Sequence, residues 1–186
     1  MPTEVDIQEQ ALVAKVVAGD RRAFTRLVEP LIPKLLTTST RMLGIREEAE
    51  DAVQNALASA WLARARFDPS RPVLPLLTTI TLNKCRDKLR RRKAARFLGF
   101  GTSPEPDFSP DPAPSPESET VDRQILSRTQ LEIERLPLRL REALILVAIE
   151  GHSQREAGEM MGVSEKAVES LVYRARKTLK EKISLG

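Results

Sequence analysis

The residues of clearest chemical character lie in Val73–Arg96, a stretch that begins apolar and ends strongly basic. On a helix, which turns by about 100° per residue, the polar side chains of this stretch share one face. They are Asn83, Asp87, Arg90 and Arg91, with Lys84, Arg86 and Lys88 on the flanks. Such a face suits a polyanion, although a run of cations alone is also typical of a solvated helix surface.

The apolar pattern predicts how this basic face is held. Val73, Leu76, Leu77 and Ile80 share one side of the predicted helix, and Leu82, Cys85 and Leu89 form a second seam nearly opposite. A hydrophobic core is therefore expected to hold the start of the helix, while its basic end is exposed.

A second polar face is predicted on a helix over Glu47–Arg66, where apolar residues recur at helical spacing from Ala49 to Trp61. Opposite them lie the acidic and amide side chains Glu50, Asp51, Gln54 and Asn55. We expect no cationic partner for them within the helix, which on the sequence alone is typical of a solvated surface.

Composition places the chain among helical globular proteins. Of its 186 residues 41% are hydrophobic and only 4% aromatic, which favours aliphatic helical cores over sheets. The net charge of +4 permits nucleic-acid binding without requiring it. One cysteine and one histidine exclude an internal disulfide and make a zinc site of the usual kind implausible. No leader or membrane-spanning pattern occurs, so we expect a cytoplasmic protein.

A proline-rich segment divides the chain. Gly99–Glu119 contains six prolines, several acids and no lysine or arginine, which predicts an extended, flexible linker. The predicted fold is therefore all-α, with helical domains at 1–98 and 120–186 joined by the linker 99–119. In the first domain we expect a helix over Ile7–Ala18, a bend at Pro30 and Pro33, and a loop at Phe67–Pro72.

The second domain carries a helix-turn-helix pattern. Ser153 and Glu156 form a capping box for a short helix, Gln154–Met161, and Gly162–Ser164 is a turn before a longer helix that extends to about Ile183. The outward positions of that last helix are Lys166, Glu169, Ser170, Tyr173, Arg174 and Lys177. They would meet a major groove if the motif binds DNA, whereas a plain helical hairpin would leave them solvated.

Taken in order, these features resemble bacterial RNA polymerase sigma factors of the extracytoplasmic-function type over nearly the whole chain. The matching words are Gly19-Asp20-x-x-Ala23-Phe24; Ala49-Glu50-Asp51-Ala52-Val53-Gln54 followed by Trp61; Leu77-x-x-Ile80-x-x-Asn83 with Asp87 and Arg90-Arg91; Leu136-Pro137 with Arg141; Glu150-Gly151 with Glu156-Ala157; and Val168 with Arg174-Ala175-Arg176. Each of these short motifs is weak evidence alone, but all six occur in the order that is typical of the family.

The resemblance implies specific roles. The first domain would bind the clamp helices of the largest subunit of core RNA polymerase, through Asp51 and Gln54 with Glu50 and Asn55 beside them. It would open the minus-10 element, with Asn83 and the loop Phe67–Pro72 capturing an unstacked base. Contacts to that element are assigned to Asn83, Lys84, Arg86, Arg90 and Arg91. The second domain would read the minus-35 element through its helix-turn-helix.

The resemblance also implies partners. An anti-sigma factor is expected to cover the polymerase-binding surfaces, with exposed apolar groups beside the linker as candidate contacts. No cofactor and no small-molecule substrate are expected. The competing hypothesis is a free-standing helix-turn-helix regulator that does not dock on polymerase. An enzyme lacks support because the sequence has no carboxylate cluster, Walker loop or nucleophile–base pair.

Two departures from the family pattern lie in the helix-turn-helix. Gly158 replaces the usual alanine, which costs about 1 kcal/mol of helix propensity. Glu169 and Leu171 stand where basic residues are common. Because a glutamate can accept a hydrogen bond from the amino group of cytosine, we predict an unusual minus-35 preference.

Overall fold

The helices begin and end close to where the sequence predicts them. A computed structural model describes residues 4–99 and 128–184, and within those ranges all regular structure is helical. The first range holds α1 (Glu4–Val17), α2 (Arg21–Val28), α3 (Ile32–Leu43), α4 (Arg46–Leu62) and α5 (Val73–Phe97). The second holds α6 (128–135), α7 (Leu138–Leu144), which continues as a π-helical turn over Ile145–Ile149, α8 (Gln154–Met161) and α9 (Glu165–Ser184).

The described residues fall into two compact units, one before position 100 and one from position 128 onward, except that Thr40–Arg46 groups with the second. The all-α, two-unit prediction is therefore confirmed. The predicted linker lies outside the described residues, apart from Gly99 at its start.

The core of the first unit gathers residues from every helix of that unit. Its buried members are Val13, Val16, Ala23, Leu27, Val28, Leu35, Val53, Ala60, Phe67, Val73 and Leu77. The predicted bend is a short 3₁₀ turn, Glu29–Leu31, which includes Pro30. Asp20 caps α2 by accepting hydrogen bonds from the backbone nitrogens of Arg22 at 2.8 Å and Ala23 at 3.1 Å.

The start of α5 is held by α1. Pro72, which precedes the helix, makes no capping hydrogen bond through its side chain. Instead, the Oε1 of Glu9 accepts a hydrogen bond of 2.6 Å from the backbone nitrogen of Val73. A carboxylate at a helix N-terminus satisfies an unpaired donor and opposes the positive end of the helix dipole. The N-terminal helix thus fixes the first turn of the basic helix.

The prediction of two apolar seams on α5 is wrong in one respect. Leu76, which was placed in the core, is 38% exposed, whereas Thr78 and Thr81 are buried. The two threonines join Val73, Leu77, Leu82 and Cys85 into one continuous stripe, and Leu76 falls outside it. A pattern of apolar residues alone does not reveal this stripe, because two of its members are threonines, whose side chains carry a hydroxyl group.

The predicted helix over Glu47–Arg66 ends early. The α-helix stops at Leu62, and a 3₁₀ turn, Arg64–Arg66, follows it. The backbone nitrogens of Arg66 and Phe67 bond to the carbonyls of Ala63 and Arg64, at 2.9 and 3.0 Å. These tight i to i+3 bonds narrow the final turn and direct the chain into the loop.

The second unit contains the predicted helix-turn-helix. Ile133, Leu136, Leu144 and Ala175 form its buried centre, with Leu140 and Leu179 packed against them. Ser153 and Glu156 make the reciprocal capping box at the start of α8. Gly162 ends α8 with φ of +67°, in the left-handed region that favours glycine. The capped short helix, glycine turn and long helix are all confirmed.

Gly158 is required by a close approach of backbone. A Cβ atom built at this position would lie 2.8 Å from the carbonyl oxygen of Val163 and 3.4 Å from the backbone nitrogen of Glu165. Neither atom belongs to a flexible side chain that could turn away. The glycine thus lets α8 pack against the turn that leads into α9.

We expect Gly158→Ala to destabilise the second unit by about 1 kcal/mol, because overpacking of 1–3 kcal/mol exceeds the gain in helix propensity. Thermal unfolding followed by circular dichroism measures this. Glu159→Ala changes the neighbouring exposed position and serves as the matched control, with an expected effect near zero. A rise in Tm for Gly158→Ala would contradict the argument.

Within the described residues, none of the helices combines the length and apolar character that crossing a membrane requires.

Candidate nucleic-acid and protein-binding surfaces

The acidic and amide face of α4 is exposed to solvent. Asp51, Gln54 and Asn55 are exposed and Glu50 is half-buried. The amide of Asn55 donates to the carbonyl oxygen of Asp51 at 2.7 Å, which orients its side chain along the helix. We call the residues Glu50, Asp51, Gln54 and Asn55 the α4 face.

The α4 face, for which no cationic partner is predicted within its own helix, has one on α5. Lys88 of α5 places its Nζ 3.2 Å from Oδ2 of Asp51, whose side chain is 65% exposed. Arg46 begins α4 four residues before Glu50, a spacing at which side chains on a helix can pair. The pattern within Glu47–Arg66 reveals neither cation, since Lys88 lies on another helix and Arg46 precedes that stretch.

A second ion pair joins α4 to α5. The guanidinium of Arg92 contacts both carboxylate oxygens of Glu48, with Nε at 3.1 Å from Oε1. Both side chains are largely shielded from solvent, which strengthens the pair. Lys88 and Arg92 therefore hold α5 against α4, and Lys88 is not simply a flanking cation of the basic face.

The remaining predicted DNA-binding residues of α5 lie together along its second half. Asn83, Arg90 and Arg91 are exposed, and Lys84 and Arg86 are half-buried. Arg86 donates to Oδ1 of Asn83 at 2.6 Å, and Arg90 is paired with Asp87. The hydrogen bond from Arg90 lowers the pKa of Asp87, so this carboxylate stays charged. These bonds orient the side chains of Arg86 and Arg90 along the helix surface.

The loop before α5 is organised by Asp68. Its Oδ1 accepts hydrogen bonds from the backbone nitrogen of Ser70 at 2.9 Å and from the hydroxyl of Ser70 at 2.6 Å. These bonds, the hydroxyl first, lower the pKa of Asp68. Phe67 is buried in the core, so it anchors the loop, and only residues 68–72 are presented to solvent.

The six predicted contacts on α9 are all exposed: Lys166, Glu169, Ser170, Tyr173, Arg174 and Lys177. Val168, Val172 and Ala175 are buried on the other side of the helix and fix its rotation. Tyr173 is 68% exposed, so its ring and hydroxyl group are both accessible on this face. Nε of Arg174 donates to the carbonyl of Ser170 at 3.3 Å.

Sequence reasoning missed Arg155. It is the second residue of α8 and is exposed. In helix-turn-helix proteins the first helix crosses the phosphate backbone, so a cation at its N-terminal end is placed to bind phosphate. The signal was present, since an arginine directly follows the capping serine and glutamine.

We expect Glu169→Ala to change which minus-35 sequences are bound, by about 1–3 kcal/mol at one base pair, because a carboxylate accepts from the cytosine amino group and not from a carbonyl. Binding to a panel of single-base variants of the element measures this. Lys177→Ala is the control and should weaken binding to all sequences equally. Unchanged discrimination in Glu169→Ala would show the idea to be wrong.

No group of three or more histidine, cysteine, aspartate or glutamate side chains that could hold a metal ion occurs in residues 4–99 and 128–184. Cys85 is a free thiol buried in α5, as predicted for a small core residue.

Comparison with known proteins gives the same two-part division. The sequence matches the family Sigma-70 region 2 over residues 27–95 and the family Sigma-70, region 4 over residues 127–179. The first match includes α4 and nearly all of α5, and the second includes the helix-turn-helix.

Individual relatives match along almost the whole chain. RNA polymerase sigma factor CnrH of Cupriavidus metallidurans is 37% identical over 177 residues, which is 92% of each chain. ECF RNA polymerase sigma factor SigM of Mycobacterium tuberculosis is 33% identical and covers 90% of this chain and 81% of the relative.

A solved structure, CnrH in complex with the cytosolic domain of CnrY, superposes with a TM-score of 0.68 at 32% identity. The match covers 96% of this chain and 98% of that one. Since both sigma regions occur in order, and relatives above 30% identity span nine-tenths of the sequence, the chain belongs to the sigma-70 family of RNA polymerase sigma factors, in its extracytoplasmic-function group.

Proposed function

We propose that this protein is an alternative sigma factor that binds core RNA polymerase and directs it to a set of promoters. One observation carries the proposal: a single chain contains regions 2 and 4, and each bears an exposed polar helix face of suitable chemistry. The protein supplies recognition and no catalysis, needs no cofactor, and acts in the cytoplasm with the polymerase.

The α4 face is the proposed docking surface for the clamp helices of the largest polymerase subunit. Its exposed carboxylate and amides offer directional hydrogen bonds and charge, which give specificity to a helix–helix contact. Proposed domain bounds are 1–98 for docking and the minus-10 element, 99–119 for the linker and 120–186 for the minus-35 element.

The basic half of α5 is the proposed minus-10 surface. Melted DNA is bound by cations along its backbone and by groups that contact unstacked bases. Arg86, Arg90 and Arg91 supply the charge, Lys84 adds to it, and Asn83 with loop residues 68–72 contacts the base.

The six predicted contact residues of α9, all exposed, read the minus-35 element, and Arg155 of α8 binds a phosphate of the DNA backbone. The first turns of a recognition helix contact base edges and later cations contact the backbone. Accordingly, we assign Lys166, Glu169 and Ser170 to bases and Arg174 and Lys177 to phosphates, with Tyr173 between them.

We also propose regulation by an anti-sigma factor. The solved relative CnrH is bound to the cytosolic domain of CnrY, which supports such a partner here. Phe97 and Leu98 at the end of α5 are exposed apolar side chains beside the linker, and they are candidate contacts.

Gel filtration with purified bacterial core RNA polymerase tests the main proposal. We expect the two to co-elute in the absence of promoter DNA. Separate elution, with no anti-sigma factor present, would instead favour a free-standing regulator.

A further inference from the structure

Leu62 is a large exposed apolar residue on a face that is mostly polar. It is the last residue of α4, and its side chain is 80% exposed. Single exposed leucines need no explanation in general. This one is notable for its position relative to the α4 face.

Helical geometry places Leu62 on the same face as Asp51. Eleven residues at about 100° each bring Leu62 to within about 20° of Asp51, roughly 16 Å further along the axis. Gln54, Asn55 and Ala58 are exposed between them. The exposed stripe therefore runs for about three turns, from an acidic end through amides and a small alanine to a leucine.

The backbone at Leu62 is rigidly supported. Trp61 packs against Phe24 of α2 with ring centroids 5.3 Å apart, and Arg64 stacks over Trp61 at 4.5 Å. Arg64 also donates to the carbonyl oxygen of Trp61 at 3.2 Å. Because the backbone that carries Leu62 is already ordered, binding through this side chain adds little cost of ordering the backbone.

We propose that Leu62 is an apolar anchor for core RNA polymerase, and that it extends the docking surface to the C-terminal end of α4. This inference rests on the proposed function. The partner is a polymerase helix that lies along α4, with cationic or donor groups opposite Asp51 and an apolar pocket opposite Leu62. Ala58 between them allows that helix to approach closely.

The position of Leu62 on the same stripe as the α4 face favours the polymerase helix as its partner. A partner helix that binds Asp51 and Gln54 and crosses α4 at a small angle also passes over Ala58 and Leu62, because all four lie on one stripe. The acidic end of the stripe disfavours a second copy in parallel orientation, since like charges would face each other.

The test measures the affinity of full-length protein for core RNA polymerase by fluorescence anisotropy. Leu62→Ala should weaken binding about 10-fold and Leu62→Lys more, as for a buried interface anchor. Ile7→Ala is the matched control, an aliphatic side chain that is 55% exposed on α1, and it should leave affinity unchanged. Because Leu62 is exposed, the variants should keep the wild-type Tm.

The outcomes separate this inference from the proposed function. If Asp51→Ala with Gln54→Ala lowers the affinity and neither Leu62 variant does, Leu62 is not an anchor. The proposal that the α4 face binds polymerase would then still hold. If the wild-type protein does not bind polymerase, the proposed function fails first. A concentration-dependent dimer of the isolated protein that Leu62→Ala abolishes would assign Leu62 to a second copy and overturn the proposal.

Discussion

Replacing Asp51 and Gln54 together with alanine is expected to weaken binding to core RNA polymerase by on the order of 100-fold. Hydrogen bonds to charged groups contribute about 1.5–3 kcal/mol each, and 1.4 kcal/mol is tenfold in affinity. The combined loss of affinity should reach the expected factor even though the effects of the two substitutions are not fully additive. Co-elution in gel filtration and anisotropy titration both report it.

The control for this double variant is Gln10→Ala with Glu29→Ala, an amide and an acid that are exposed elsewhere in the first unit. A substitution of Lys88 provides a second test of the same surface. Docking must compete with the Lys88–Asp51 ion pair, which for an exposed pair is worth about 0.2–1 kcal/mol. Lys88→Met should therefore leave polymerase affinity unchanged or slightly raised. A weaker complex would mean that Asp51 is held for docking by Lys88.

Replacing Arg90 and Arg91 with alanine is expected to weaken holoenzyme binding to single-stranded minus-10 DNA and to make that binding less sensitive to salt. Each phosphate contact on a single strand contributes a slope of about 0.7 in log K against log salt. Losing two contacts should reduce the slope by about 1.4. Titrations at salt concentrations from about 50 to about 200 mM measure this change in slope.

Lys15→Ala with Arg22→Ala removes the same net charge from exposed positions on α1 and α2, and should leave the slope unchanged. An equal loss in both double variants would show that overall charge, and not the α5 face, governs DNA binding. Arg92 is unsuitable as a control because its ion pair with Glu48 holds α5 against α4.

Sequence patterns predicted the helices well because caps, prolines and apolar spacing act over a few residues. The capping box at Ser153, the bend at Pro30 and the turn at Gly162 are all local features, and the structure confirms each of them. Leu76 was misplaced because two threonines complete the buried stripe of α5. Burial of a short hydroxyl side chain depends on tertiary packing, and periodicity does not reveal it.

The candidate site was harder to predict where its contacts span the chain. The residue types of the α4 and α5 faces could be read from spacing, and all of the α9 set proved to be exposed. The pairing of Asp51 with Lys88, 37 positions apart, could not be predicted from the sequence, since it depends on the packing of α4 against α5. Gly158 was predicted as a cost in propensity, and the nearby Val163 carbonyl gives that glycine a steric reason.

The hydrogen bond between Glu9 and Val73 also has a consequence for synthesis of the protein. Glu9 leaves the ribosome first, and its partner is 64 positions later, which is about 3–13 s at 5–20 residues per second. Until then the carboxylate has no helix end to cap. The first turn of α5 is thus capped only when the oldest part of the chain packs against it. Any fusion that displaces α1 should therefore remove the carboxylate from the backbone nitrogen of Val73 and destabilise the start of α5, far along the chain from the point of fusion.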